Sequence, residues 1–290
     1  QGRQAFLWVG AAQFINGAGR FIAIVLLLVV AGMHATGFMI AAMIGLGSAC
    51  ALALRHTPEL LAKTKASCDW SGLLRRIVPL SIGLGSGVCL MSVDMIFVKA
   101  NFEGDVPGLY AKAGLIGRGL VMFSAPLAQV MFPKIIVNAR TSGRSAIFLQ
   151  TVVSTAALAV AASLGFTILC AILPGWLFNI AEGGSRWAGN VQSFLDNQGN
   201  QLALVCKLIP AFVWAMTPLT IANVMINHIL ALRRHHAVPW LAGVAVLYVI
   251  ALCFLNNSLT QVLATLAVAN AVLAGTAAFF SLRDRPQEAA

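Results

Sequence analysis

A chain of 290 residues that is 59% hydrophobic and only 10% charged cannot coat a water-soluble surface, because soluble domains carry about 25% charged residues. Much of its outside must face lipid. The net charge of +10 does not indicate nucleic acid. The basic residues fall in short clusters between apolar stretches, as the positive-inside rule produces, instead of lining one surface with aromatic platforms.

A bilayer core of about 30 Å needs about 20 helical residues. Eight apolar runs of that kind are expected in chain order, over 14–32, 36–55, 77–99, 108–132, 146–172, 203–231, 238–256 and 259–282. The fold class is therefore all-α, a polytopic membrane helix bundle. The opening stretch Gln1 to Gln13, with Arg3, Phe6 and Trp8, reads as an interfacial segment. The chain begins at Gln1 with little preamble, and this reads as part of a longer protein.

Between the runs, Arg55, Lys63, Lys65, Arg75 and Arg76 surround one connection. Lys134, Arg140 and Arg144 mark another, Arg233 and Arg234 a third, and Arg283 and Arg285 follow the last run. The alternate connections, Gly32 to Thr36, Asn101 to Pro107, Ile180 to Gln201 and Asn256 to Ser258, are poor in Lys and Arg apart from Arg186. The basic side is thus expected to be cytoplasmic, with both ends of the chain on it. The linker 56–76 is the most polar and divides the chain into two leading helices, 1–55, and a six-helix unit, 77–290.

Ionisable groups inside spans cost about 2.5 to 3.5 kcal/mol at a helix centre, so each needs a partner or a watery cavity. Asp94 and Lys99 share the third run, Lys112 and Arg118 the fourth, Arg20 the first and Lys207 the sixth, where Asn223, Asn227 and His228 form a polar stripe. Asp94 and Lys99 are five apart, which is not a same-face spacing. The hairpin closed by NFEGDVPG can instead bring Lys112 or Arg118 to Asp94, either to lock the two helices or to face a cavity. Lys99 and Lys112 can snorkel toward the interface. Arg118 lies deeper, and its guanidinium suits a phosphate. Arg20 either joins a cavity or marks the start of the first span.

GLGSG at 83–87 lies within a span without a preceding strand, so it is not a dinucleotide loop. Gly83 with Gly87, and Gly114, Gly117 and Gly119, are expected to allow close helix approach. Pro79, Pro126, Pro210 and Pro218 interrupt helices as kinks do beside cavities or in plain packing. Five cysteines sit in apolar runs, while Cys68 lies in the basic linker. None has metal-site spacing, and His235 with His236 reads as a basic interfacial loop. No nucleophile with a base, paired carboxylates or phosphate loop occurs, so neither an enzyme nor a cofactor nor a metal is expected.

The run from Arg75 to Ala139 contains an Asp late in one helix (Asp94), a short outer loop, Gly108, Tyr110 and Ala111 entering the next helix, Gly117–Arg118 within it, and Phe132, Pro133 and Lys134 at its inner end. In these features it resembles the start of the C-terminal bundle in polysaccharide transporters of the multidrug/oligosaccharidyl-lipid/polysaccharide exporter superfamily, a MATE-like group. ILPGWLFNIA, with Pro174 and Trp176, is a looser match. The resemblance implies two lobes rocking around a cavity, of which this chain holds the whole C-terminal lobe and the end of the N-terminal one. It implies a flippase in a bacterial inner membrane, with membrane lipid, an anionic lipid-linked glycan and polysaccharide assembly proteins as partners. Arg118, Lys112, Lys99, Arg20 and Lys207 outnumber Asp94, which favours an anionic cargo. The alternatives are a cation-coupled antiporter of the same superfamily and a non-transporting assembly protein of polysaccharide synthesis.

Overall fold

In a computed structural model of the chain, the described residues are 6–30, 32–33, 35–56, 70–138, 146–182, 188–232, 234–255 and 258–282. Among them every regular element is helical. Helix α1 (Phe6–Ile24) runs on as a π-helical turn (Val25–Val30) and is followed by α2 (Ala35–His56), α3 (Trp70–Asn101) and α4 (Val106–Asn138). Then come α5 (Ala146–Glu182), α6 (Ala188–Ala231), a 3-10 turn (His235–Ala237), α7 (Val238–Phe254) and α8 (Leu259–Leu282). Five stretches are long and apolar enough to cross a membrane: Gly10–Leu28, Trp70–Asn101, Phe148–Trp176, Gly199–Ala231 and Leu259–Leu282. Shorter apolar helices cover Thr36–Leu52 and Val238–Phe254. A helix is what such sequences must form in hydrocarbon, since it satisfies every backbone N–H and C=O within the segment. Large apolar side chains such as Phe14, Met43 and Phe254 point outward, as a lipid solvent permits.

The chain divides into two compact units, 1–70 and 71–290. In the first, α1 and α2 form a hairpin. Gly45 sits so close to α1 that a Cβ there would lie 2.7 Å from the Asn16 carbonyl oxygen and 2.9 Å from Arg20 Cβ. The turn uses Gly32 at φ +63°, and Met33 N–H closes it on the Leu27 carbonyl at 2.9 Å.

In the second unit α6 is the central post, packed along α4, α5 and α8, with α7 laid on α8. Helices α5 and α6 run antiparallel: Phe148 meets His228 at one end, and Ser163 meets Thr217 nearer the other. Gly117 of α4 is pressed against the backbone of Phe212 on α6, where a Cβ would fall 3.2 Å from the Phe212 carbonyl carbon and oxygen. Gly114 meets the Phe212 ring and Gly83 meets Leu230. Gly87 and Gly119 have nothing within 4 Å of a Cβ position, so the expectation of close approach fails at those two. Spacing alone does not say which side of a helix meets a neighbour. The α3–α4 connection is short, with Gly104 at φ +66° and the Asp105 carbonyl accepting the first helical bond from Leu109 N–H at 3.0 Å.

The stretch 180–201, expected as an outer loop, is instead largely helix: α5 continues to Glu182 and α6 begins at Ala188. Polar composition shows where a helix leaves hydrocarbon, not where it stops. With 44 residues, α6 is about 66 Å long at 1.5 Å per residue, far beyond a bilayer core. The opening residues also join a helix from Phe6 onward. Pro79, Pro174, Pro210 and Pro218 all lie inside helices. Lys63, Lys65, Cys68, Arg140, Arg144, Arg186, Arg233, Arg283 and Arg285, on which much of the charge asymmetry rests, lie outside the described residues.

Candidate functional site

Hairpin α3–α4 is joined by a charged clasp. Asp94, on the inner face of α3, has 0% side-chain exposure, and Arg118 reaches it from three turns into α4 with 13%. Arg118 Nη2 donates to Asp94 Oδ1 at 2.9 Å and to Oδ2 at 2.7 Å, while Nε donates to the Met91 carbonyl at 2.6 Å. Tyr110 donates its hydroxyl to Asp94 Oδ2 at 2.8 Å, and its ring stands edge-on to Phe212 with centroids 4.6 Å apart. The carboxylate thus accepts from two side chains and the guanidinium binds two partners. A charge pair so enclosed is tolerable only because its polar atoms are matched. Lys99 takes no part in it.

Tyr110 has the clearest structural role that residue-by-residue reading left unassigned. The chain contains two tyrosines. Both are almost wholly buried, but only Tyr110 has its hydroxyl bonded to the clasp, and that of Tyr248 on α7 has no hydrogen-bond partner among the described residues. The rarity of tyrosine in so apolar a chain was the available signal, since a buried phenol needs a polar neighbour.

The remaining candidates stand outside the clasp. Lys99 lines an open recess of about 630 Å³ between the end of α3 (Met95, Ile96) and the start of α4 (Pro107, Gly108, Ala111). Lys112 is exposed and extends its ammonium to Gln201 Oε1 on α6 at a long 3.5 Å. Lys207 is on the exposed strip of α6 that also carries Leu204 and Trp214. Arg20 sits well inside α1, not at the start of the helix, with its guanidinium 4.8 Å from the ring centroid of Phe38 on α2. Asn223 is engaged along its own helix, where Asn227 Nδ2 donates to its carbonyl at 2.7 Å. His228 stacks on Phe148 of α5 at 3.7 Å. Of the sequence candidates the structure therefore pairs Asp94 with Arg118, while Lys99, Lys112 and Asn223 meet other groups.

A separate, neutral polar cluster surrounds Pro218. Ser163 of α5 and Thr217 of α6 share a hydrogen bond of 2.7 Å, and Thr217 also donates to the Val213 carbonyl at 2.9 Å. Asn270 of α8 donates to the Ala215 carbonyl at 2.8 Å. Pro218 removes one backbone donor from α6 without ending the helix. Just beyond the C-terminal end of α6, Arg234 Nη1 donates to the Phe280 carbonyl at 2.8 Å, a cation on the last turn of α8. No group of His, Cys, Asp and Glu able to hold a metal occurs among the described residues.

Composition and fold define an all-α protein of the integral-membrane type. No known protein family, curated protein or solved structure matches the chain.

Proposed function

We propose that this protein is a transporter of the flippase type, moving an anionic lipid-linked oligosaccharide or polysaccharide precursor across the cytoplasmic membrane of a bacterium. In this reading eight helices cross the bilayer as part of a two-lobed, MATE-like architecture. The two ends of the chain lie on the cytoplasmic side.

The observation that carries the reading is how the charges are used. Asp94 is fully committed to Arg118 and Tyr110, whereas Lys99, Lys112 and Lys207 are exposed and have no acidic partner among the described residues. A cation-coupled antiporter would need a carboxylate free to take up its ion, so the arrangement favours the anionic cargo. Uncompensated lysines on membrane helices need water, an interface or an anion. A pyrophosphate-linked glycan supplies the last.

The burial of Arg118 favours an alternative reading, a membrane assembly protein whose charges only fasten helices. Transport separates the two. The chain is reconstituted into liposomes within its complete two-lobed protein, together with a fluorescent polyprenyl-pyrophosphate-linked oligosaccharide, and crossing of the oligosaccharide is followed by quenching from outside. The expected result is protein-dependent crossing that falls about tenfold, or ~1.4 kcal/mol, in a Lys112→Gln/Lys207→Gln variant. Crossing no faster than in protein-free liposomes, with helicity intact by circular dichroism, overturns the proposal and leaves the assembly role.

A further inference from the structure

Helices α4 and α5 do not close on each other along their whole length. Between them runs a slot of about 340 Å³, walled by Ile116, Gly119 and Phe123 of α4 and by Leu158, Ala162 and Phe166 of α5. Its rim is open to the surroundings, for Phe123 is 77% exposed and Leu158 51%. On α5 it extends from Thr155 to Phe166, eleven helical steps and about 16 Å at the helical rise. That is close to the depth of one leaflet, half of a hydrocarbon core of about 30 Å.

Water does not suit the slot. A trapped water needs two to four polar partners, and only two hydroxyls line it, those of Thr155 and Thr220. Thr220 already donates to the Met216 carbonyl at 3.0 Å. The Thr155 hydroxyl is buried without a partner. An empty slot would forfeit dispersion contacts along all its walls. Gly119 leaves the floor of α4 bare, with nothing within 4 Å of a Cβ position. The helix surface thus offers a dry, apolar slot about as long as one leaflet is deep, with its rim exposed.

We infer that this slot is a binding site for one acyl chain of a bilayer phospholipid, lying parallel to α4 and α5. The site is separate from the charged clasp and does not depend on the transport reading. The acyl chain fills the space left by Gly119 and is held between the Phe123 and Phe166 rings by dispersion alone.

The test uses the whole chain purified from membranes containing phosphatidylethanolamine, phosphatidylglycerol and a minor fraction of polyprenyl phosphate. Native mass spectrometry is run at an activation that strips loosely held lipid. The expected result is one retained phospholipid per chain, lost at least tenfold more readily in Ala162→Phe, which fills the slot. Phe123→Ala removes an exposed wall and gives the same loss without burdening the core. Val246→Phe, on the exposed side of α7, retains the lipid. Absence of bound lipid in the unsubstituted protein, retention of polyprenyl phosphate in place of phospholipid, or equal retention in all variants would each overturn the assignment.

Discussion

Two buried polar clusters hold the six-helix unit together, and they do it differently. The clasp between α3 and α4 is charged: Asp94, Arg118 and Tyr110 meet across a hairpin. The cluster around Pro218 is neutral: Ser163 and Thr217 bond each other, and Thr217 and Asn270 each bond the backbone of α6, so that three helices are tied. Charged partners depend on each other absolutely, since removing one strands the other in an apolar interior. Neutral partners degrade by steps. The charged arrangement suits a joint that must have one geometry, and the neutral one ties a continuous, proline-bearing helix to its neighbours.

The largest effect is expected from breaking the clasp on one side. Arg118→Leu leaves the Asp94 carboxylate buried without its cation, at about 3 to 5 kcal/mol. The double variant Asp94→Leu/Arg118→Leu should recover most of that loss, because apolar replacement of a whole buried pair is often close to neutral. Unfolding of both in mixed micelles measures the difference. If the double variant is also transport-competent in liposomes, the clasp is a structural joint and the cargo contacts lie with the exposed lysines. Equal instability of single and double variants would show that the pair stabilises by more than mutual neutralisation.

Next in size is Gly117→Ala. Its methyl would fall 3.1 to 3.2 Å from backbone and Cβ atoms of Phe212. Backbone cannot swing aside as a side-chain tip can, so α4 and α6 must separate, at about 1 to 3 kcal/mol. The same shift moves Tyr110, which leans on Phe212, and so weakens the clasp indirectly. Asn270→Ala acts on the neutral cluster. It removes one interhelical bond to the Ala215 carbonyl, and the expected loss is about 0.6 to 1.7 kcal/mol, the range of such bonds within membranes. A loss as large as that of Arg118→Leu would erase the distinction between the clusters.

Much of the helical layout was legible in the sequence because hydrocarbon leaves so few choices: apolar runs of bilayer length become helices, and the expected runs each overlap a helix. The hairpin that brings Arg118 to Asp94 was legible too, since a short connection forces neighbouring helices together. Helix ends were not. The stretch 180–201 is polar, yet helix occupies both its sides, because nothing in water obliges a helix to end where the lipid does. Nor could the sequence say which glycines face a neighbour. Side-chain period fixes what shares a face, but the direction of that face is set by tertiary packing. The slot between α4 and α5 escaped for the same reason, as its lining is indistinguishable in composition from any other apolar wall.

That limit produces the smallest and most discriminating prediction. Gly117 and Gly119 are two residues apart in α4 and so about 200° apart around the helix, and composition does not say which of the two faces a neighbour. Gly117 abuts Phe212, whereas Gly119 faces open space. Gly119→Ala should therefore change stability by no more than about 0.5 kcal/mol, as substitutions without a strained contact do, and any change should favour folding, since alanine is the better helix former. Placed beside the loss at Gly117, that result fixes the rotation of α4 about its own axis by two alanines and an unfolding curve. Were both substitutions equally damaging in lipid-free detergent, the face of α4 bearing Gly119 would be packed against protein, and the acyl chain assigned to that slot would have no room.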